Sequence, residues 1–198
     1  MNKRVFIIHG WGGHPGEHWM PWLKRELENN GFKVCVPQMP DTYKPEIRSW
    51  VSKLAEVADN PDGDTYFVGH SIGCNAIWRY LETLSENIKI GGVALVAPWM
   101  KLDRKTIEEE GEESIRIVRS WQEKPIDFKK VKRHSKKFFA VFSDDDPYVP
   151  LNQAELLSGE LDADIAIEKG KGHFTVDDGV TELPVVLSEL LNWSGAKT

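Results

Sequence analysis

Cysteine is scarce in this chain, with Cys35 and Cys74 the two thiols among 198 residues. Two are too few for a disulfide framework, and neither belongs to a C-x-x-C pair of the kind that holds zinc, so both read as buried thiols. Long apolar runs are missing as well. No stretch approaches the ~18 apolar residues of a membrane span, and the apolar run at 5–8, behind Lys3 and Arg4, is too short for the core of a secretory signal. A cytoplasmic protein with no membrane association is the expectation. An excess of positive charge is also lacking: 25 Lys and Arg stand against 31 Asp and Glu, a formal net charge of -6. That balance argues against a protein whose main task is to coat nucleic acid. Internal repeats and low-complexity linkers are absent too.

What is present describes a globular chain. Hydrophobic residues make up 40% and charged residues 28% of the sequence, and at this length about 70% of the unfolded surface can be buried. One compact domain over 1–198 is expected. Short β-branched runs at 4–9, 33–36, 65–69, 92–97, 138–142 and 164–168 alternate with segments whose apolar residues recur at helical spacing. Trp19, Trp22, Leu23 and Leu27 form one such face, and Ile47, Val51, Leu54 and Ala58 another. A third runs through Ile72, Ala76, Ile77, Tyr80 and Leu81, and helices are also predicted at 151–159 and 182–193. Six strands and at least five helices in alternation predict an α/β fold, a doubly wound, mainly parallel sheet with helices on both faces. In such sheets ligands sit outside the carboxyl ends of the strands.

Residues 100–137 break the rhythm, being longer than one crossover needs and locally basic, with twelve Lys or Arg against eight Asp or Glu. They are read as a short helical cap over 106–123 followed by a return helix near Phe128, while 194–198 looks like a loose tail.

The strand ending at Val68 runs directly into Gly69-His70-Ser71-Ile72-Gly73, and an amphipathic segment begins at once. A G-x-S-x-G pattern between strand and helix is the sequence of a nucleophile elbow. The turn is so tight that the serine is strained and its hydroxyl projects, and glycines two residues either side admit the close strand–helix contact. A serine hydroxyl is a poor nucleophile at neutral pH and needs a base, which in turn needs an orienting group. Both appear later, at strand ends. Ser143-Asp144-Asp145-Asp146-Pro147 follows one strand and Gly170-Lys171-Gly172-His173-Phe174 follows another. Of the three aspartates Asp146 is the choice, because Pro147 holds the residue before it extended; Asp144 and Asp145 read as solvated loop charges or an Asx turn. Backbone N–H groups of Ile72, at a helix start, and of Trp11, in the loop His9-Gly10-Trp11-Gly12-Gly13, are the candidate donors to a developing oxyanion. His9, Trp99, Met100 and Trp121 are candidates for the substrate pocket, while Trp22, Trp50 and Trp78 belong to the core and Trp193 lies near the end of the last helix.

The pieces V-F-I-I-H-G-W, E-H-W-M-P-W-L-K, Y-F-V-G-H-S-I-G, A-L-V-A-P-W, F-S-D-D-D-P-Y-V-P and G-K-G-H-F span residues 5–174. With them the chain resembles an α/β-hydrolase, and within that superfamily the small serine hydrolases of the retinoblastoma-binding protein 9 and YdeN type. The resemblance implies a compact fold without the first two strands of larger hydrolases and a triad of Ser71, Asp146 and His173. For such a serine hydrolase no metal and no organic cofactor is expected. Binding of a retinoblastoma protein through L-x-C-x-E is not expected, since neither cysteine has Leu two before and Glu two after it.

Competing patterns are weaker. Gly10-x-Gly12 with Gly16 misses the spacing of a dinucleotide fingerprint, and the second strand ends in Pro37-Gln38 where a ribose-binding acid belongs. His14 and His18 flank Pro15 and Gly16, which spoils a shared helical face for zinc, and contacts at the start of the helix fit them better. The run from Lys129 to Lys137 reads as solvated charge rather than a nucleic-acid surface. The expected function is a serine hydrolase acting on a small carboxylic ester, thioester or activated amide through an acyl-enzyme. The alternative is a protein- or ligand-binding module on a hydrolase scaffold that does not turn over.

Overall fold

A computed structural model describes residues 3–195. Six strands, β1 (Arg4–Ile8), β2 (Lys33–Cys35), β3 (Thr65–His70), β4 (Gly92–Val96), β5 (Phe138–Ser143) and β6 (Asp164–Glu168), form one sheet in the order β2-β1-β3-β4-β5-β6. Every pairing is parallel. The β3, β4 and β5 side chains are all buried, as near-continuous apolar strands covered on both faces must be, whereas the edge strands β2 and β6 are partly exposed. The predicted strands are all present, each starting where expected and ending within a residue of the expected end. The chain runs from β1 outward to β2 and then back past β1 to β3. That reversal opens a crevice above the carboxyl ends of β1 and β3, where the Gly10–Gly13 loop and Ser71 lie.

Among the described residues eight helices follow in chain order: α1 (Met20–Asn29), α2 (Ile47–Val57), α3 (Ile72–Leu81), α4 (Arg104–Glu109), α5 (Glu112–Gln122), α6 (Phe128–His134), α7 (Asn152–Leu161) and α8 (Pro184–Ser194). Helix α1 packs with α8, while α2, α3, α6 and α7 touch in sequence as a second layer. Pro184 opens α8, where a missing N–H costs nothing. The region of the expected tail splits: Ser194 is the last residue of α8, Gly195 is its cap, and 196–198 lie outside the described residues. Trp193 is packed rather than loose, since a Cβ on Gly92 would stand 2.5 Å from its ring.

The cap departs from the expected single helix over 106–123. Gly111, at φ 97°, divides it into α4 and α5, because a residue in that left-handed region ends one helix and glycine occupies it without a Cβ clash. Asp103 caps α4 by accepting from Thr106 N at 2.9 Å. At its far end α5 is tied to α3 by the buried Arg79, whose guanidinium donates at 2.6 Å to the carbonyls of Trp121 and Lys124. The basic run forms the outer face of α6, with Val131 and Phe128 inward, Lys132 paired with Asp162 and Arg133 with Glu86. Among the described residues no helix is long and apolar enough to cross a membrane.

Candidate active site

Ser71 stands between β3 and α3 with φ 53° and ψ -120°, a strained conformation for a side-chain-bearing residue. Sterics show why its neighbours are glycine. A Cβ on Gly73 would lie 2.5 Å from Ile8 O, and one on Gly69 2.8 Å from Cys74 N. Ser71 N donates to Val96 O at 2.9 Å, and Ser71 O accepts from Cys74 N at 3.0 Å, so the backbone is fixed while the hydroxyl hydrogen-bonds to none of the described residues. Cys74, one turn into α3, is a buried thiol whose pKa burial pushes well up.

His173 Nδ1 donates to Asp146 Oδ2 at 2.8 Å; the aspartate side chain is 2% exposed and the imidazole 14%. Asp146 Oδ1 accepts from Tyr148 N at 2.8 Å and Val149 N at 3.0 Å, so both carboxylate oxygens are occupied. This bond fixes the tautomer: Nδ1 carries the proton and Nε2 is left with its lone pair. Ser71, His173, His70, Trp11 and Gly10 border one cavity of about 330 Å³, closed on the cap side by Leu102, Ile107 and Glu110. Tyr148 leans its ring edgewise on His173 at 5.0 Å and donates its hydroxyl to Glu110 at 3.1 Å.

The glycine loop after β1 is anchored at several points. Gly12 N donates to Thr42 O at 2.8 Å, Gly13 N to Gly10 O at 3.2 Å, and Trp11 Nε1 to Tyr43 O at 3.0 Å. Two backbone donors are spare: among the described residues the N–H groups of Trp11 and Ile72 have no acceptor. A Cβ on Gly10 would stand 3.5 Å from Ser71 Cβ, so this loop lies directly against the elbow.

None of the four pocket candidates lines this cavity. His9 is fully buried below the loop, donating from Nδ1 to Gly10 O at 2.9 Å and accepting at Nε2 from Met39 N at 3.1 Å. Trp99 and Trp121 are 1% exposed. Trp121 packs edgewise on Trp50 and donates to Pro45 O at 2.8 Å. Met100 is half-buried with its N–H on Gln153 Oε1, outside the cavity lining. The Trp99 and Trp121 rings fill the core beneath the cap, and Leu102, Ile107 and Glu110 form the cavity wall on that side.

Several residues that shape the site carry no strong sequence signal. Asp144 accepts from Gly170 N at 2.9 Å and Asp145 from Gly172 N at 2.8 Å, so these two aspartates secure the histidine loop instead of facing water idly. Hydrogen bonds from Ser143 and Gly172 hold the Asp145 carboxyl below its usual pKa. Asp178 binds the same loop from its other end. The run of three aspartates opposite a G-x-G-H segment was the available clue. His14 accepts from Gly16 N and His18 from Val176 N, each at 3.0 Å, and no group of three potential ligands is placed to hold a metal among the described residues. Helix α1 begins at Met20, well past Gly13, so no helix N-terminus follows the glycine turn as a dinucleotide site requires.

A family model described as serine hydrolase matches residues 5–192. The chain belongs to the serine hydrolase family. YdeN of Bacillus subtilis (strain 168) is 30% identical over 198 residues, the full length of both chains. Its crystal structure superposes with a TM-score of 0.87, covering 98% of this chain and 100% of that one. The serine hydrolase RBBP9 of Rattus norvegicus is 26% identical over 174 residues, 87% of each chain. Est1E from Butyrivibrio proteoclasticus, at 18% identity, shares the fold with a TM-score of 0.73 over 98% of this chain and 89% of its own. This serine hydrolase therefore has the α/β-hydrolase architecture, and its family identifies it as a hydrolase.

Proposed function

We propose that Ser71, His173 and Asp146 form a catalytic triad that cleaves a small carboxylic ester, thioester or activated amide through an acyl-enzyme. The observation that carries this reading is the pairing at one cavity of an unbonded hydroxyl on a strained elbow with an imidazole whose far nitrogen is bound by a buried carboxylate. His173 takes the Ser71 proton through Nε2 as the oxygen attacks the carbonyl carbon, then delivers a proton to the leaving group. Water repeats the sequence in deacylation. The serine–histidine contact of such sites commonly tightens only around substrate. Asp146 keeps the proton on Nδ1 and offsets the imidazolium charge. The spare N–H groups of Trp11 and Ile72 receive the oxyanion, each such donor typically being worth about 3 kcal/mol. A cavity of about 330 Å³ with Leu102, Ile107 and Trp11 on its walls fits small acyl groups better than long chains. The free thiols Cys35 and Cys74 suit a reducing compartment such as the cytoplasm.

A series of p-nitrophenyl esters from acetate to decanoate tests the reading. Expected is turnover that declines with acyl length and disappears in Ser71→Ala. Absence of ester turnover by folded wild-type protein, or equal turnover by Ser71→Ala, would contradict it.

A further inference from the structure

His173 lies in a loop with no regular structure around it, since β6 ends at Glu168 and α8 starts at Pro184. Its backbone N–H and C=O therefore have no strand or helix partner, yet its ring must be aimed to within a fraction of an ångström to serve as a base. The chain on either side is poorly disposed to hold still: Gly172 has φ 49° and Phe174 φ 58°, both in the left-handed region, and the second is not glycine. Such a conformation persists only where the surroundings over-determine it.

Two side chains meet that need. Asp178 Oδ2 accepts from His173 N at 3.0 Å, from Thr175 N at 3.0 Å and from Thr175 Oγ1 at 2.6 Å. Its carboxylate occupies the space that a side chain on Gly172 would need, for a Cβ there would fall 2.1 Å from Asp178 Oδ1. From the elbow, His70 Nε2 donates to His173 O at 2.8 Å, and the two rings lie 5.1 Å apart. His70 is 2% exposed, and its Nδ1 is buried with no hydrogen-bond partner, close enough to Gly10 that a Cβ there would stand 3.2 Å away. Leaving a nitrogen unpaired in the interior is unfavourable and asks for a reason. Burial holds the His70 pKa well below its ordinary value, so the ring stays neutral. It supplies one N–H without setting a fixed positive charge beside an imidazole that must itself become charged.

We propose that His70 and Asp178 are positioning residues that grip the backbone of His173 by its carbonyl and its N–H respectively, and thereby aim its ring at Ser71. Asp146 holds the ring and these two hold the chain that bears it. Because His70 adjoins Ser71 in sequence, the same residue ties the nucleophile's elbow to the base's loop. The proposal rests on the reading of Ser71 and His173 as nucleophile and base.

The test uses the full chain with p-nitrophenyl acetate as substrate, a fluorophosphonate as covalent probe, and thermal unfolding as a check on folding. His70→Leu and Asp178→Ala are expected to lower kcat about 10- to 100-fold, as a misplacement near 1 Å does, with KM changed less than about twofold. His70→Gln, whose amide N–H reaches the same carbonyl, and Asp178→Asn, which keeps an acceptor oxygen, are expected to recover kcat to within about threefold of wild type, on the same geometric grounds. Should one loss variant fail to fold, the other pair decides. Folded loss variants with unchanged kcat overturn the proposal, as do losses that neither conservative variant restores. Wild-type protein that neither turns over ester nor labels counts against the triad instead, so the two failures are distinguishable.

Discussion

At the elbow, Gly69 and Gly73 leave Cβ positions already filled by the backbone of Cys74 and Ile8, and Ser71 has one place to go. The histidine loop meets one such wall, the Asp178 carboxylate against Gly172, and is secured by four aspartates, Asp144, Asp145, Asp146 and Asp178, each accepting a backbone or imidazole N–H from residues 170–175. The serine is placed by shape, with partners within five residues of it in the chain or on the adjoining strand. His173 is held by polar contacts from its own loop, from the loop after β5 and from His70 at the elbow. Backbone walls are intolerant of added volume, whereas a loop held by hydrogen bonds depends on the charge and geometry of each acceptor.

The sharpest separation between the two regions comes from Asp146→Asn. The substituted amide keeps an oxygen for Tyr148 and Val149 but turns its NH₂ toward His173 Nδ1, which favours the wrong tautomer, so kcat is expected to fall about 10³- to 10⁴-fold with little change in Tm. Asp144→Asn, which touches only Gly170 N, is expected to cost less than about threefold, since the acceptor oxygen survives. Steady-state kinetics on both variants, with melting curves, checks this. Equal losses from the two would mean that the loop is held collectively and that Asp146 has no special part.

At the elbow the corresponding break is steric. In Gly73→Ala the new methyl meets backbone oxygens that cannot swing aside, and about 3 kcal/mol of stability is expected to go, a fall in Tm of roughly 6–12 °C for a chain of this size. Gly159→Ala is the control. That glycine lies inside α7 with nothing within 4 Å of a Cβ, so the change is expected to stabilise by up to about 1 kcal/mol. Thermal unfolding of both variants decides.

These two regions also differ in how much of them the sequence discloses. All six strands could be read from β-branched runs, and Ser71 from five consecutive residues, because the forces that place them act between near neighbours. His173 and Asp146 were singled out by their places after strand ends, and their shared hydrogen bond brings them together. Asp178 and His70 escaped notice, because an aspartate five residues past a histidine and the variable position of G-x-S-x-G acquire meaning only once the loops converge. The tryptophans misled for a related reason. Trp99 and Trp121 lie at or near strand ends and in the cap, yet whether such rings wall a cavity or fill the core beneath it depends on how α5 seats against α2 and α3. That is tertiary packing without a local signature. In the cap, Gly111 was the available sign of a helix break.

A smaller effect concerns acid. Burial lowers the pKa of His9 and His70 in the folded protein, so below about pH 6.5 the unfolded chain takes up protons that the native state refuses. Stability is therefore fully present above that pH and declines below it, with a limiting slope of about 1.4 kcal/mol per pH unit for each imidazole that stays neutral. Denaturant unfolding between pH 7 and 5 is expected to show this fall, and His70→Gln to make it shallower. A slope that His70→Gln leaves unchanged would mean that His70 is not the group held neutral.

The most direct measurement is the site of covalent capture. Folded wild-type protein is treated with a fluorophosphonate, digested and analysed by mass spectrometry. One adduct per chain, on the peptide carrying Ser71, lost in Ser71→Ala and slowed in His173→Ala, is the predicted result. An unmodified wild-type protein, or an adduct that persists at equal stoichiometry in Ser71→Ala, would contradict the assignment of the nucleophile.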